Sequence, residues 1–455
     1  MRRESITGNF RSQYSLDVGE FEPGFSLPFV LTGEQKRTLG EILFDLSQPF
    51  PMNRLLQGEV GSGKTLVAFL AMRHLSEGIY RGSQCAFLAP TEILARQHAQ
   101  NFSRYFPEVA SRVGLLTGSL SKSAKNEVLE KIRLARFSYI FGTHALFQEK
   151  VMIPGLNFCI IDEQHRFGVS QRRSLIEKGK ERFPHLLLMT ATPIPRSLSL
   201  TIFGDMDVST IKELPPGRKP IKTKLAKSRE EALQEMKRHL ANGGQTYFIC
   251  PLIENSEKNQ WVSVEEALSR LTKAFPEYKV AAITGKQSSD EKNLAIDLFH
   301  SGKIQILVAT TVLEVGIDNP NATVMVIENA ERFGLSQLHQ LRGRIGRGTV
   351  SSICILVSPS GEDCERLSVF SEINDGFLLS AEDLRFRGAG DILGTKQSGF
   401  SRQIFSQLGR LDIIEKARER ALSILTNELP ETREWFLDRM RESFGGDFDD
   451  FLKGG

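Results

Sequence analysis

The chain has 455 residues, of which 40% are hydrophobic and 25% charged, and it carries 58 Lys and Arg against 55 Asp and Glu. These values are typical of globular proteins and exclude wholesale disorder, while the length favours roughly two to four domains. The net charge of +3 excludes a strongly polybasic protein, but it is compatible with a local basic patch that binds nucleic acid.

The distribution of apolar residues and cysteines along the sequence indicates the cellular compartment of the protein. The residues after Met1 contain no apolar stretch of the kind found in secretory signals, and the apolar runs elsewhere have the length of strands. Five cysteines without a CxxC pair favour buried, reduced thiols over disulfides or a metal site. We therefore expect a cytoplasmic protein without membrane association.

In chain order, short apolar runs alternate with amphipathic helical patterns. A first series predicts strands at Arg54–Leu56, Cys85–Leu88, Tyr139–Phe141, Phe158–Ile161 and Leu186–Met189. A second series predicts strands at Thr246–Cys250, Val280–Ile283, Ile306–Val308, Val324–Ile327 and Ile353–Val357. Helices are predicted between them at Thr65–Leu75, Glu92–Phe106, Lys122–Ala135, Arg229–Ala241, Ser263–Phe275 and Ser289–Phe299. The alternation predicts an α/β fold of parallel sheets flanked by helices, which bind ligands at the carboxyl ends of their strands.

A linker separates the two series. Glu213–Pro220 holds three prolines and one glycine, which neither a helix nor a central strand accommodates. We expect a linker remnant at 1–26, a first lobe at 27–214, a second lobe at 215–362 and a region without strands at 363–455. The residues from Glu428 onward include eight acidic and four basic side chains, a composition typical of a solvated acidic tail.

A phosphate-binding loop is the first functional motif. The segment 58–65, GEVGSGKT, matches G-x-x-x-x-G-K-[ST] between a predicted strand and a predicted helix. Its glycines let backbone N–H groups face phosphate oxygens, and the start of the helix adds positive potential. The predicted nucleoside triphosphate ligands are Gly58, Gly61, Ser62, Gly63, Lys64 and Thr65, with Lys64 on the β- and γ-phosphates and the Thr65 hydroxyl on Mg²⁺.

Two carboxylates follow the strand Phe158–Ile161. Asp162 is placed to hold Mg²⁺, and Glu163 is placed to orient and deprotonate the attacking water. An Asp-Glu pair after a strand is by itself usually a helix cap or a solvated turn. Together with the phosphate-binding loop, however, the pair predicts ATP hydrolysis.

Further motifs carry a family resemblance. Segments 162–168 (DEQHRFG) and 190–196 (TATPIPR) resemble motifs of the superfamily-2 helicases and, within them, of the RecG-type DNA translocases, over residues 27–400. The resemblance implies two RecA-like lobes, a C-terminal helical hairpin and loop, and ATP with Mg²⁺ as cofactors. It also implies that closure of the lobes around ATP drives stepping along DNA.

The resemblance assigns roles to matching residues. Gln35 matches the adenine-recognising segment, Gly316 and Asp318 match a nucleotide-contacting segment, and Thr190 and Thr192 match the motif that couples hydrolysis to movement. Candidate contacts to the DNA backbone are Thr91, Arg96, Thr143 and Thr310. Gln340, Arg344 and Arg347 match the arginine-finger motif, and helical spacing predicts that the two arginines share one face.

A glycine-rich basic segment resembles the translocation hairpin of RecG-type proteins and of the transcription-repair coupling translocase Mfd. Its candidate DNA contacts are Arg385, Arg387, Lys396 and Gln397, although Ala389 replaces the proline that is usual in the family. A solvated basic loop is the alternative interpretation of this segment.

These motifs predict an ATP-dependent translocase on duplex and branched DNA, acting as a monomer in DNA repair and recombination. We expect the fork-splitting N-terminal wedge of RecG-type proteins to be absent, because residues 8–24 show no barrel-like strand pattern. A single-stranded-DNA-binding protein and a separate wedge-bearing chain are alternative partners. An Mfd-like motor and a non-hydrolysing, ATP-gated DNA scaffold are the alternative functions.

Overall fold

The computed structural model describes a large part of the chain. The described residues are 30–48, 50–79, 82–148, 150–163, 184–191, 206–217, 219–251, 262–285, 287–310, 319–346, 348, 350–358, 364–387, 416–417, 419–421, 423–424 and 429–444. Two compact units are formed, of which one includes Ser62–Glu213 and the other includes Leu214–Asp383.

The first unit is built on a parallel sheet. Its strands are β1 (Asn53–Gly58), β2 (Gln84–Leu88), β3 (Val113–Leu116), β4 (Tyr139–Gly142), β5 (Leu156–Ile161), β6 (His185–Thr190) and β7 (Asp207–Ile211). They lie in the order β3-β4-β2-β5-β6-β1-β7. All the pairings run parallel, so the carboxyl ends of the strands meet at one edge. The helices described in this unit are α1 (Gly33–Leu46), α2 (Lys64–His74), α3 (Glu92–Tyr105) and α4 (Lys122–Arg133).

Both faces of this sheet are buried, which explains its continuous apolar strands. Neighbouring residues of β1 enter different core clusters, since Leu55 packs with one and Leu56 with the other. Under α2 and α3, Phe69, Phe87 and Phe102 form an aromatic core in which the Phe69 and Phe102 ring centroids are 5.2 Å apart. Because fully buried aromatic rings contribute large apolar areas, this core fixes α2 and α3 on the sheet.

The second unit has its own parallel sheet. Its strands are β8 (Lys222–Ala226), β9 (Gln245–Ile249), β10 (Val280–Ile283), β11 (Ile306–Ala309), β12 (Ala322–Glu328) and β13 (Ile353–Val357), in the order β10-β11-β9-β12-β13-β8. All the pairings are parallel. Helices follow at α5 (Arg229–Ala241), α6 (Val264–Ala274), α7 (Ser289–His300), α8 (Leu335–Arg342), α9 (Cys364–Glu372) and α10 (Gly376–Arg387). The helix α11 (Pro430–Phe444) near the C-terminus is assigned to the first unit.

The predicted α/β fold with two parallel-sheet lobes is confirmed, and each of the ten predicted strands is present. The sequence does not predict β3, β7 and β8, which all lie at sheet edges. Edge strands need no continuous apolar run because they are less covered, and β8 accordingly reads Lys-Thr-Lys-Leu-Ala. The sequence pattern also does not predict α1, which begins at a capping box formed by Thr32 and Gln35.

The cysteines of the described residues agree with the predicted reduced state. Cys85, Cys159, Cys250 and Cys354 are buried and form no disulfide. Burial raises the pKa of the Cys250 and Cys354 thiols to about 12, which disfavours their reactive thiolate form. Within the described ranges, no helix is both long and apolar enough to cross a membrane.

Candidate nucleotide site and motor residues

The phosphate-binding loop connects β1 to α2. Gly61 and Gly63 have positive φ angles of 81° and 87°, so glycine relieves the strain of the left-handed backbone at both positions. A Cβ on Gly58 would collide with the carbonyl oxygen of Ile211. Lys64 Nζ donates a hydrogen bond of 2.8 Å to the Gly58 carbonyl oxygen, which places its ammonium group within the loop.

Gln35 stabilises this loop through hydrogen bonds of its side-chain amide. Its Nε2 donates to the Ser62 carbonyl oxygen at 2.8 Å, and its Oε1 accepts from the Thr32 backbone N–H at 3.0 Å. Because the side chain is almost fully buried, these two bonds hold its amide in one orientation. The role of Gln35 in reading adenine stays a prediction.

The two candidate carboxylates lie directly after β5. Asp162 Oδ1 accepts from the Glu163 backbone N–H at 3.1 Å, and Asp162 Oδ2 is 3.1 Å from Nε2 of His98 on α3. Glu163 is buried and has a positive φ of 52°, an uncommon backbone conformation for a residue other than glycine. Such strained positions concentrate at functional sites, where the surrounding structure maintains them.

The sheet order brings these groups to one edge. Strands β5, β6 and β1 are consecutive neighbours, and Asp162, Thr190 and Gly58 lie at or directly after their carboxyl ends. Thr190 is buried and pairs in register with Gln57, the residue that precedes Gly58. The phosphate-binding loop, the two candidate carboxylates and the candidate coupling residue Thr190 of the first lobe therefore lie at the edge where parallel sheets bind ligands.

The donor groups near this edge fit Mg²⁺. Asp162 and Thr65 supply a carboxylate and a hydroxyl, the hard oxygen ligands that Mg²⁺ prefers. The Ser62 hydroxyl, within the phosphate-binding loop, is buried without a hydrogen-bond partner. In the described part of the chain no group of three or more His, Cys, Asp or Glu is arranged to hold a metal. A site with few protein ligands is typical of Mg²⁺ bound together with substrate phosphates.

The first lobe also carries candidate DNA contacts near this edge. Thr91 caps the N-terminus of α3, and its Oγ1 accepts from the Leu94 backbone N–H at 3.4 Å. Its hydroxyl proton can still be donated to a phosphate. Arg96 is exposed, whereas Thr143 directly after β4 is buried. Arg96 is therefore the most accessible of these three side chains.

The second unit contributes three candidates. Thr310 directly follows β11 and is buried, and its hydroxyl has no hydrogen-bond partner. Gln340 lies in α8 and is also buried, and its Nε2 has no hydrogen-bond partner. Arg344 is buried in the turn after α8.

The helical stretch predicted to carry Arg344 and Arg347 ends before Arg344, so helical spacing does not apply to this pair, and a shared face for the two arginines stays a prediction. Helix α8 ends at Arg342, with Gly343 as its C-cap, and Gly346 has a left-handed φ of 72°. Gly343 itself keeps right-handed helical angles (φ −66°, ψ −6°), so the left-handed glycine conformation that commonly closes a helix occurs only at Gly346, four residues after Arg342. Six predicted site residues lie outside the described residues, namely Gln397 and the five residues Thr192, Gly316, Asp318, Arg347 and Lys396. The side chain of Arg387 also lies outside them, whereas Arg385 is exposed on α10.

Sequence reasoning misses the contact that one residue makes with the first-lobe site and does not separate a structural arginine of the second unit from the candidate site residues. His98 contacts the candidate metal ligand Asp162, and its signal in the sequence is only one histidine in a helical stretch. Arg342 belongs to the same arginine run as Arg344, but it is a structural residue. Its guanidinium donates to the carbonyl oxygens of Phe370, Ile373 and Asn374.

Comparisons with known proteins agree with this architecture. Residues 32–200 match the DEAD/DEAH box helicase family, and residues 228–349 match the helicase conserved C-terminal domain. An ATP-dependent DNA helicase RecG from Aquifex aeolicus is 48% identical over 412 residues, which are 88% of this chain and 52% of the relative. The corresponding protein of Bacillus subtilis is 46% identical over 409 residues, 89% of this chain and 59% of the relative.

Over most of its length the chain is similar to RecG helicases. A solved structure described as RecG bound to a three-way DNA junction is 42% identical, with a TM-score of 0.67 over 85% of this chain and 51% of that chain. This chain therefore spans about half the length of the RecG relatives that it matches. Likeness to more distant proteins, such as the DNA-bound helicase MrfA at 18% identity and a TM-score of 0.59, shows the fold alone.

Proposed function

We propose that this chain is an ATP-dependent motor that translocates on double-stranded DNA and acts on branched DNA, such as replication forks and recombination intermediates. The observation that carries the proposal is the convergence of the phosphate loop, Asp162 and Thr190 at the ends of neighbouring strands in a chain similar to RecG helicases. The printed descriptions of its relatives, a DNA helicase and a junction-bound structure, support DNA as the substrate.

The first lobe holds the groups for hydrolysis. Lys64 is proposed to leave the Gly58 carbonyl oxygen and neutralise the β- and γ-phosphates of ATP. Thr65 and Asp162 are proposed to hold Mg²⁺, which neutralises charge on the phosphates. Glu163 is proposed to orient the attacking water and accept its proton, and burial keeps this carboxylate away from bulk solvent.

The second lobe is proposed to supply charge stabilisation. Arg344 has the fixed charge and planar donor geometry that match a transferring phosphoryl group, and Gln340 supplies an amide donor. Arg347, Gly316 and Asp318 are proposed to act with them on the same nucleotide. In other nucleotide hydrolases such an arginine accounts for roughly 10³–10⁵ in rate.

The DNA contacts are proposed to be independent of base sequence. Thr91, Arg96, Thr143 and Thr310 offer hydroxyl and guanidinium donors to phosphate oxygens, and phosphate contacts position a protein without reading bases. Arg385 and Arg387 of α10 are proposed to track the duplex together with Lys396 and Gln397, which lie in the segment that follows this helix. We further propose that the protein works in the cytoplasm and as a monomer.

Steady-state ATP hydrolysis with and without duplex DNA tests this proposal. We expect duplex DNA to stimulate hydrolysis by the wild-type chain, and we expect Lys64→Ala to abolish hydrolysis in both conditions. Glu163→Gln should lower kcat by roughly 10²–10⁴ while nucleotide still binds, because the variant loses its general base but keeps the phosphate loop. Phosphate release that ignores DNA would contradict the proposal. DNA binding that responds to ATP without any hydrolysis would support a scaffold instead.

A further inference from the structure

His98 links the helix α3 to the candidate metal-binding carboxylate. Its Nε2 lies 3.1 Å from Asp162 Oδ2, and the imidazole is buried. Its ring packs against Phe87, with centroids 4.8 Å apart, and edge-on against Phe69 at 6.1 Å. The aromatic packing fixes the ring, so Nε2 meets the carboxylate in one direction.

The hydrogen bond leaves Asp162 able to bind a metal. Each carboxylate oxygen accepts more than one hydrogen bond or ligand, and Asp162 receives His98 on Oδ2 and the Glu163 N–H on Oδ1. Two donors on different oxygens fix the rotation of the carboxylate about its χ2 bond. A fixed carboxylate binds a metal more tightly, because no rotational freedom has to be lost on binding.

The same helix carries candidate DNA contacts on another side. Residues two apart on a helix project about 200° apart, so the exposed Arg96 and the buried His98 lie on nearly opposite faces of α3. Thr91 caps the N-terminus of α3. Since α3 is one continuous helix of 14 residues, a displacement at its DNA-facing side moves His98 with it.

We propose that His98 is a positioning residue that orients Asp162 for Mg²⁺ and transmits DNA contacts on α3 to the metal site. This inference rests on the proposed function, because it assigns a coupling role within the same nucleotide site. His98 acts through Asp162 alone and donates from Nε2. Its removal leaves the phosphate loop and Glu163 in place.

Two substitutions separate the effect of the hydrogen bond between His98 and Asp162 from the effect of the packing of the His98 side chain. His98→Leu keeps an apolar side chain against Phe87 but removes the donor. His98→Gln restores an N–H donor at nearly the position of Nε2. Gln100→Leu, on the exposed side of the same helix, is the matched control. Circular dichroism and thermal unfolding establish that each variant is folded. If His98→Leu does not fold, His98→Asn replaces it, because the shorter asparagine amide does not reach Asp162.

The first readout is metal binding without turnover, measured as the Kd of Mn²⁺ in the presence of ADP by electron paramagnetic resonance. We expect His98→Leu to weaken Mn²⁺ binding by about 10-fold to 100-fold, the usual effect of losing a residue that orients a metal ligand. His98→Gln should recover most of this loss, and Gln100→Leu should bind Mn²⁺ like the wild type. ADP binding in EDTA should be equal in all variants, because the phosphate loop is unchanged.

The second readout is the ratio of hydrolysis rates with and without duplex DNA at saturating Mg²⁺. We expect His98→Leu to reduce this ratio several-fold and His98→Gln to restore it. A folded His98→Leu variant with wild-type Mn²⁺ affinity overturns the proposal, and so does a His98→Gln variant as impaired as His98→Leu. A wild-type chain without DNA-stimulated hydrolysis contradicts the proposed function instead, because the Mn²⁺ measurement needs neither DNA nor turnover.

Discussion

Several predicted site residues already have structural partners in the fold. Lys64 bonds to the Gly58 carbonyl oxygen, Gln35 to Ser62, and Thr91 to the backbone of its own helix. The motif pattern predicts which residue types face the nucleotide, because their chemistry is characteristic. It does not predict the bond of Gln35 to Ser62 or the contact of His98 with Asp162, since these depend on how α1 and α3 pack on the sheet.

A buried histidine at the start of β6 makes stability depend on pH. The backbone N–H of Met52 donates to Nδ1 of His185 at 3.0 Å, and burial lowers the pKa of His185 from 6.5 to about 4. Below pH 6.5 the unfolded chain takes up a proton that the folded chain excludes until about pH 4. The free energy of unfolding therefore falls as the pH falls through this window, by at most about 1.4 kcal/mol per pH unit.

Urea unfolding at pH 6.5 and pH 5.0 measures this contribution in the wild type and in His185→Asn. The asparagine Oδ1 can accept the Met52 N–H but does not titrate. We expect the wild type to lose up to about 2 kcal/mol more than the variant between these pH values. An equal loss in both proteins would rule out His185 as the source.

At the scale of elements, the end of α8 separates two arginines with different roles. Arg342, the last residue of the helix, is buried with its guanidinium 4.3 Å from the Phe370 ring centroid. It donates to three backbone carbonyls in and after α9, and burial lowers the pKa of its side chain. Arg344, two residues later, lies in the turn. Sequence spacing cannot separate the two, because both belong to one continuous run of arginines and glycines in the predicted arginine-finger motif.

We expect Arg342→Met to lower the free energy of unfolding of the second lobe by about 3 kcal/mol or more, because three carbonyl groups lose a charged donor. Chemical denaturation followed by the circular dichroism signal measures this loss. Arg385→Ala, an exposed arginine on α10, is the control and should change stability by less than about 0.5 kcal/mol. A comparable effect of both substitutions would show that the bonds to the α9 region contribute little.

The strand series is the part of the fold that the sequence predicts best. Strands such as β5 and β12 are buried on both faces and therefore read as continuous apolar runs. β8 lies at a sheet edge with Lys222 and Lys224 in its short span, so its sequence resembles a loop. The partial burial of β8 distinguishes it from the linker that precedes it, whereas the strand propensity of its residues does not.

At the scale of the whole molecule, the net charge is only +3, but the charged residues are distributed unevenly along the chain. Basic candidates for DNA contact occur on α3 and from α10 onward, while the residues after Glu428 are acidic. The chain also spans about half the length of its RecG relatives. The two family matches, at residues 32–200 and 228–349, contain the groups proposed for ATP hydrolysis, whereas the proposed DNA contacts from Arg385 onward follow them in the chain.

The central claim is that ATP hydrolysis moves this chain along duplex DNA. Displacement of a third strand from a triplex measures such movement directly, because a translocating protein strips the third strand without separating the duplex. We predict ATP-dependent displacement by the wild-type chain and none by Lys64→Ala or Glu163→Gln, although Glu163→Gln still binds ATP. A folded wild-type chain that hydrolyses ATP on DNA and leaves the triplex intact would contradict the claim.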